Sequence, residues 1–248
     1  MPSLGVQTIP RKPLLFFRRQ TLYTLPMFAR IRQKHPGSSV LKIFCWGCFR
    51  VVLSLVLVVF FRLRVRNQKN VPATGPVLIA ANHQSFLDPP AIGCRVLQRQ
   101  IDFVARSGLF GQEHFGGLLR FLNSIPVAEE GPDGAAIKEI IRRLRLGRCV
   151  MIFPEGSRTP DGEIQPFKRG VALLVKRAKC PVVPVAIEGA FTAWPRDRKW
   201  PRVFSSKVRV LYGEVIGYDE LMQDGAEAAL ARIEREVRTL HEKLTAED

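Results

Sequence analysis

Short apolar runs recur along the chain and alternate with amphipathic stretches. VLIAA (77–81), IDFVA (101–105), SIPVA (124–128), CVMIF (149–153) and VVPVAI (182–187) have the length and composition of buried strands. Between the third and fourth runs, residues 133–147 place Ala136, Ile137, Ile140, Ile141 and Leu144 at helical spacing, and 170–178 fits a second helix. KVRVLYGEVI (207–216) alternates like a later strand. Leu230, Ile233, Val237, Leu240 and Leu244 then mark one face of a closing helix. Strands alternating with helices predict an α/β domain, a mostly parallel sheet flanked by helices. Ligands of such sheets gather beyond the carboxyl ends of the strands.

The front of the chain follows a different pattern. LLFF (14–17) and VVLSLVLVVFF (51–61) are apolar without the alternation of a globular surface. As a helix, the second run spans about 16 Å, less than a bilayer core of roughly 30 Å. Extension back to Ile43 includes Arg50, at a cost of about 2.5–3.5 kcal/mol were it at the bilayer centre. Arg62, Arg64 and Arg66 follow at once, where lipid phosphates would lie. Residues 14–62 therefore read as a helical anchor, embedded in a membrane or lying at its interface, that need not cross it. The Pro/Gly break NVPATGP (70–76) divides this anchor, residues 1–69, from an α/β domain over 70–248.

Charge sharpens that division. The 248 residues hold 38 Lys and Arg against 22 Asp and Glu, a net charge of +16. The first acid is Asp88, whereas residues 1–87 already carry 13 basic side chains. Basic residues set among apolar ones suit an anionic membrane surface. They do not suit nucleic acid, because no platform of aromatic and basic residues for stacking bases is visible. LLFF is too short for a signal-peptide core, although the acid-free, Arg-rich start has some of the composition of a transit peptide. Of five cysteines, Cys94, Cys149 and Cys180 are scattered, which fits a reducing compartment. Cys45 and Cys48 form a CxxC without a second pair or a βαβ context, so they read as packing residues of the anchor.

Two stretches carry candidate chemistry. In LIAANHQSFLD (78–88) a strand ends at Asn82 and His83, and Asp88 follows five residues later. A neutral imidazole removes a proton from a hydroxyl when a carboxylate holds its other nitrogen in the right tautomer. Five steps of a regular helix separate side chains by about 140°, so the pair needs a loop to meet, and Pro89-Pro90 suggests a non-helical path after Asp88. Ser85 lies on the opposite face of an extended chain from His83, without a Gly-x-Ser-x-Gly elbow, so the activated hydroxyl belongs to a substrate. Taken alone, a structural histidine, or Asn82 and Asp88 acting as helix caps, explains the same residues. FPEGSRTPDG (153–162) follows another strand. Gly156 permits close backbone approach there, and Arg158 offers a planar fork for phosphate. Glu155 can accept hydrogen bonds from a polyol or from Arg158. A surface turn with an exposed Arg–Glu pair is the plainer alternative. Lys168 and Arg169 stand at a helix start, where they could meet a phosphate or simply be solvated.

In order and spacing, NHQSFLD, FPEGSRTPDG and VVPVAI resemble the 1-acylglycerol-3-phosphate acyltransferase family over roughly residues 70–216, and the basic, apolar front end resembles its anchor. The resemblance implies that His83 and Asp88 are the HxxxxD catalytic pair. It implies that Glu155, Gly156, Ser157 and Arg158 bind the acceptor's glycerol phosphate, with Ser157 where threonine is more usual. Arg106 in FVARSGLF would stand near the phosphate, and Pro184 in VVPVAI would have a structural, acyl-facing role. The chain departs from the family after SIPV, where Glu129 and Glu130 replace an aspartate–arginine pair and leave the acceptor open.

The implied reaction is direct transfer of a fatty acyl group from acyl-CoA or acyl carrier protein to the free hydroxyl of lysophosphatidate. No metal or prosthetic group is implied; oxyanion donors are expected from backbone N–H groups near the helix after His83. The implied setting is the cytoplasmic face of a membrane. Glycerol 3-phosphate, another lysophospholipid or a lyso-aminolipid are alternative acceptors. A non-catalytic membrane-surface protein of the same fold is the alternative from another class.

Overall fold

In the computed structural model the residues described are 39–128 and 134–247. LLFF and the transit-like start of the chain, as well as Glu129 and Glu130, lie outside them. Seven strands form one sheet: β1 (Arg64–Arg66), β2 (Val77–Ala81), β3 (Ile101–Arg106), β4 (Ile125–Val127), β5 (Cys149–Ile152), β6 (Val182–Glu188) and β7 (Arg209–Tyr212). Their order is β1-β7-β6-β2-β5-β3-β4, and all neighbours are parallel except β6 and β7. The predicted mostly parallel α/β architecture is therefore the observed one. The sheet also takes in residues 64–66, ahead of the Pro/Gly break, so an anchor ending at residue 69 includes an edge strand.

β2 is buried on both faces, as a central parallel strand must be. Val77, Ile79 and Ala81 join one core with Leu57, Phe61, Ile92 and Tyr212. Leu78 and Ala80 join the opposite core, beneath the helices Gly134–Arg145, Gly170–Ala178 and Ala226–Thr245. Pro184 is tolerated inside β6 because pairing with β7 begins one residue later, at Val185. KVRVLYGEVI breaks after Tyr212, at Gly213, where a Cβ would lie 2.8 Å from Pro184 Cγ. Ile216 then returns as a single bridge to Val182. Pro184 packs against that glycine, a structural role.

Helix α1 (Val40–Phe61) is 22 residues long, about 33 Å, and the described residues contain no other helix long and apolar enough to cross a membrane. It continues back through Arg50 because that charge faces protein. Arg50 Nη1 donates to the Val96 carbonyl (2.5 Å), and its guanidinium lies 4.5 Å from the Trp46 ring centre. Lys42 Nζ donates to Asn123 Oδ1 (2.6 Å), Arg95 reaches Ser54 Oγ (3.3 Å), and Leu57 and Phe61 enter the core. Positions 42, 46, 50, 54, 57 and 61 form a single stripe, so the domain touches the helix along its whole length. Leu41, Phe44, Val51, Val52, Leu55, Val58 and Val59 make the opposite, exposed stripe. Cys45 and Cys48 are free and exposed, contrary to the packing role expected of them, whereas Cys94, Cys149 and Cys180 are buried thiols.

Candidate active site

The parallel strands β2, β3, β5 and β6 end on one edge of the sheet, and the loops after them meet there. Asn82 closes the first loop onto β6. Its amide accepts from the Ile187 N–H (2.8 Å) and donates to the Ile187 carbonyl (2.9 Å), so it is not a helix cap. From this fixed point the chain turns through residues 83–87 into a short helix α2 (Asp88–Gly93). Pro89 and Pro90 occupy its first turn, where a missing N–H costs nothing, so the path after Asp88 is helical rather than extended.

The turn brings His83 Nδ1 to 2.7 Å from Asp88 Oδ2. The same oxygen accepts from the backbone N–H groups of Gln84 (2.6 Å) and Ser85 (2.7 Å). Three donors converge on one acceptor, so Nδ1 carries the proton and Nε2 is left with its lone pair. Asp88 is fully buried, and burial holds its pKa above the ordinary value against the pull of those donors. The His83 ring stacks on Phe153, with centroids 3.8 Å apart and planes 10° from parallel. Its side chain is 18% exposed, enough to admit a substrate hydroxyl. Ser85 is unsuited to nucleophilic attack: its Oγ is buried and donates to the Trp194 carbonyl (2.8 Å).

The loop after β5 grips the histidine from the other side. Thr159 N–H donates to the His83 carbonyl (2.8 Å), and His83 N–H donates to Glu155 Oε1 (2.8 Å). Glu155 Oε2 accepts from the Gln165 N–H (3.1 Å). Glu155 is 4% exposed, so the hydrogen bonds expected to a polyol or to Arg158 go instead to backbone, and this carboxylate positions the histidine. Gly156 takes a positive φ of 74°, and a Cβ there would meet Lys168 Nζ at 2.6 Å, so the lysine side chain crosses the bare glycine backbone. Ser157 is half-buried beside it, and Arg169 is exposed at the start of the next helix.

Arg158 lies over the Phe86 ring, 3.6 Å from its centre, and Nη1 is buried with no partner among the described residues. Burial first, then repulsion from Arg106 and Arg196, holds its pKa below the ordinary arginine value. Arg106 ends β3, on the edge of the sheet where these loops meet, whereas Arg196 belongs to no motif. Gln84 was also passed over. Its amide donates to Glu188 Oε2 (2.9 Å) and the Gly162 carbonyl (3.3 Å), and accepts from Ala190 and Phe191 N–H (3.2 and 3.3 Å). It ties three loops together from a position next to the His83–Asp88 pair. Its place between His83 and Ser85 in NHQSF was the available signal.

Burial pushes the Glu155 pKa up to about 7. An unfolded glutamate releases its proton near pH 4.5, so between about 4.5 and 7 the folded chain holds more protons than the unfolded one. Stability should therefore fall as pH rises through that window. Glu155→Gln should flatten this part of the curve, as read by denaturant unfolding from pH 4 to 8. An unchanged slope in the variant would assign it to another group.

A profile of the Acyltransferase family matches residues 62–188, which contain His83, Asp88, Arg106 and the loop 155–158. The chain belongs to this family. It is 32% identical over 171 residues to the 1-acyl-sn-glycerol-3-phosphate acyltransferase of Bacillus subtilis, covering 69% of this chain and 80% of that protein. It is 27% identical to the chloroplastic 1-acyl-sn-glycerol-3-phosphate acyltransferase BAT2 of Brassica napus, spanning 57% of this chain but 42% of that longer one. The crystal structure of the 1-acyl-sn-glycerophosphate (LPA) acyltransferase PlsC from Thermotoga maritima superposes with a TM-score of 0.65 at 25% identity, over 83% of this chain and 88% of that one. The segment that matches the family thus carries His83, Asp88 and Arg158 on loops at one edge of the sheet.

Proposed function

We propose that this acyltransferase moves a fatty acyl group from a thioester, acyl-CoA or acyl carrier protein, to the free hydroxyl of lysophosphatidate, producing phosphatidate. The observation that carries this reading is the joint presence, on loops hydrogen-bonded to each other, of an Asp-oriented imidazole and an arginine with an unused buried N–H. Nε2 of His83 takes the hydroxyl proton as the hydroxyl oxygen bonds to the thioester carbon. The C–S bond then breaks, and the proton passes to the departing sulfur. Asp88 stabilises the imidazolium formed between these steps. Arg158 holds the acceptor phosphate so that the hydroxyl meets Nε2 rather than water. The N–H groups of Gln84, Ser85, Leu87 and Asp88 are all engaged within the loop, which leaves Phe86 as its oxyanion donor. The chemistry calls on no metal or prosthetic group.

Purified protein mixed with acyl-CoA and lysophosphatidate should release free thiol in step with phosphatidate, with little release from acyl-CoA alone. Thiol release that does not respond to lysophosphatidate, in a panel that includes glycerol 3-phosphate and other lysolipids, would reassign the acceptor. The relatives' names favour lysophosphatidate within that panel.

The reading includes a membrane, because the acceptor is a lipid and the exposed stripe of α1 is apolar. A helix touched by its own domain along its length fits a position in the plane of the interface, sunk about 5–10 Å, rather than across the bilayer. Trp200, Val203 and Phe204 extend the apolar surface, since Phe204 N–H bonds to the Phe60 carbonyl (2.7 Å) and the two rings are 5.5 Å apart. Depth quenching of probes at Leu41, Val52 and Val59 in anionic vesicles should give shallow values at all three. A deep Val52 between shallow ends would mean that the helix crosses.

A further inference from the structure

Arg158 is an unfinished site. Its guanidinium lies 3.6 Å from the centre of the Phe86 ring, one N–H is buried without an acceptor among the described residues, and of the charges that act on it Arg106 and Arg196 repel while Asp88 attracts. A buried, unpaired cationic donor is costly, and crowding by like charges adds to the cost until an anion arrives. Arg106 is the last residue of β3, on the edge of the sheet where the site lies. Arg196 stands on a turn that follows the short helix Ala190–Ala193 after β6.

That turn is coupled to the catalytic loop. Phe86, beneath Arg158, has its ring 5.4 Å from that of Trp194. The Trp194 carbonyl accepts from Ser85 Oγ (2.8 Å), and its indole N–H donates to the Arg198 carbonyl (3.0 Å). Arg198 N–H closes the four-residue turn on the Pro195 carbonyl (3.2 Å), which puts Arg196 at its first corner. Arg202 N–H ties the far side to the Ala193 carbonyl (2.7 Å). The side chain of Arg196 is exposed, so its position is not explained by packing. Residue 196 also lies beyond the 62–188 segment that matches the family profile.

We propose that Arg196 is a binding residue for the acceptor's phosphate, completing with Arg106 and Arg158 a three-arginine site for a phosphate monoester. The inference rests on the acyl-transfer reading for the identity of the acceptor, but not for the existence of the anion site. A phosphate monoester dianion offers three oxygens, one for each guanidinium, and balances more charge than a phosphodiester could. The turn therefore acts as a selector for acceptors with a terminal phosphate.

Two measurements separate the inference from the reading it deepens. In the first, glycerol 3-phosphate is titrated calorimetrically at fixed ionic strength into wild type, Arg158→Ala, Arg196→Ala and Arg196→Lys. Both alanine variants should bind at least about tenfold more weakly, and the lysine variant should lie between. In the second, acyl transfer to lysophosphatidate is compared with transfer to 1-acylglycerol, which has the hydroxyl and lacks the phosphate. Arg196→Ala should raise KM for lysophosphatidate at least about tenfold, with kcat within about twofold of wild type and no change on 1-acylglycerol. Glycerol 3-phosphate binding weakened in Arg158→Ala but unchanged in Arg196→Ala overturns the role of Arg196. Binding weakened in both, without acyl transfer to lysophosphatidate by wild type, keeps the anion site and overturns the acceptor instead.

Discussion

His83→Ala should lose about 10²–10⁴-fold in kcat for acyl transfer, with a melting temperature close to wild type. The substitution removes the imidazole that Asp88 orients while disturbing little around it. Asp88 Oδ2 keeps two of its three donors, and the backbone of residue 83 keeps its bonds to Glu155 and Thr159. Losing the stack on Phe153 opens space at a partly exposed position rather than in the core. A structural histidine would show the reverse, a drop in stability with modest loss of rate. Activity within about tenfold of wild type would end the general-base assignment. Rapid quench should find no covalent acyl-enzyme, since the Ser85 hydroxyl is committed to Trp194.

The fold was legible where the hydrophobic period was unambiguous. VLIAA, IDFVA, CVMIF and VVPVAI became strands within a residue or so of their sequence limits, because burial on both faces leaves continuous apolar runs. The stretch Gly170–Ala178 became a helix for the corresponding reason, with Ala172, Leu174, Val175 and Ala178 buried. Elements set by tertiary partners were not legible. Arg64–Arg66 is a strand only because β7 lies beside it, and two arginines in three residues give no apolar signal. Asp88–Gly93 was hidden by two prolines that bar a helix interior yet suit a helix start. Arg50 argued against a long α1 because its partner, the Val96 carbonyl, is 46 residues away in sequence.

The site divides along the same line. His83, Asp88 and Arg158 were named from local text and Arg106 from the family resemblance, and all four stand at one edge of the sheet. Glu155 was identified but its direction was not, since whether a carboxylate faces a ligand or a backbone N–H depends on the loop's final turn. Phe86, Phe153, Gln84 and Arg196 had no motif of their own beyond standing near one. An aromatic beneath a guanidinium, or an amide joining three loops, is a relation between distant segments. Such relations are what the geometry adds.

Asp88→Asn should cost about two to four orders of magnitude in kcat while the protein stays folded. The amide oxygen can take the place of Oδ2 and accept from Gln84 and Ser85 N–H and from His83 Nδ1. The amide nitrogen would fall where Oδ1 now lies buried without a partner. What disappears is the negative charge, which stabilises the imidazolium only after the hydroxyl proton has moved. The loss should therefore fall on kcat, with KM for the acceptor little changed. Asp88→Ala removes the acceptor as well and strands two buried N–H groups, at about 1–3 kcal/mol each, so it should also melt at lower temperature. The pair of variants separates the two roles of one carboxylate: a fast, stable Asn variant beside an unstable Ala variant would mean that Asp88 only shapes the loop. Slow turnover in both, with instability confined to Ala, would mean that the charge is used in the transition state and the oxygen in the fold.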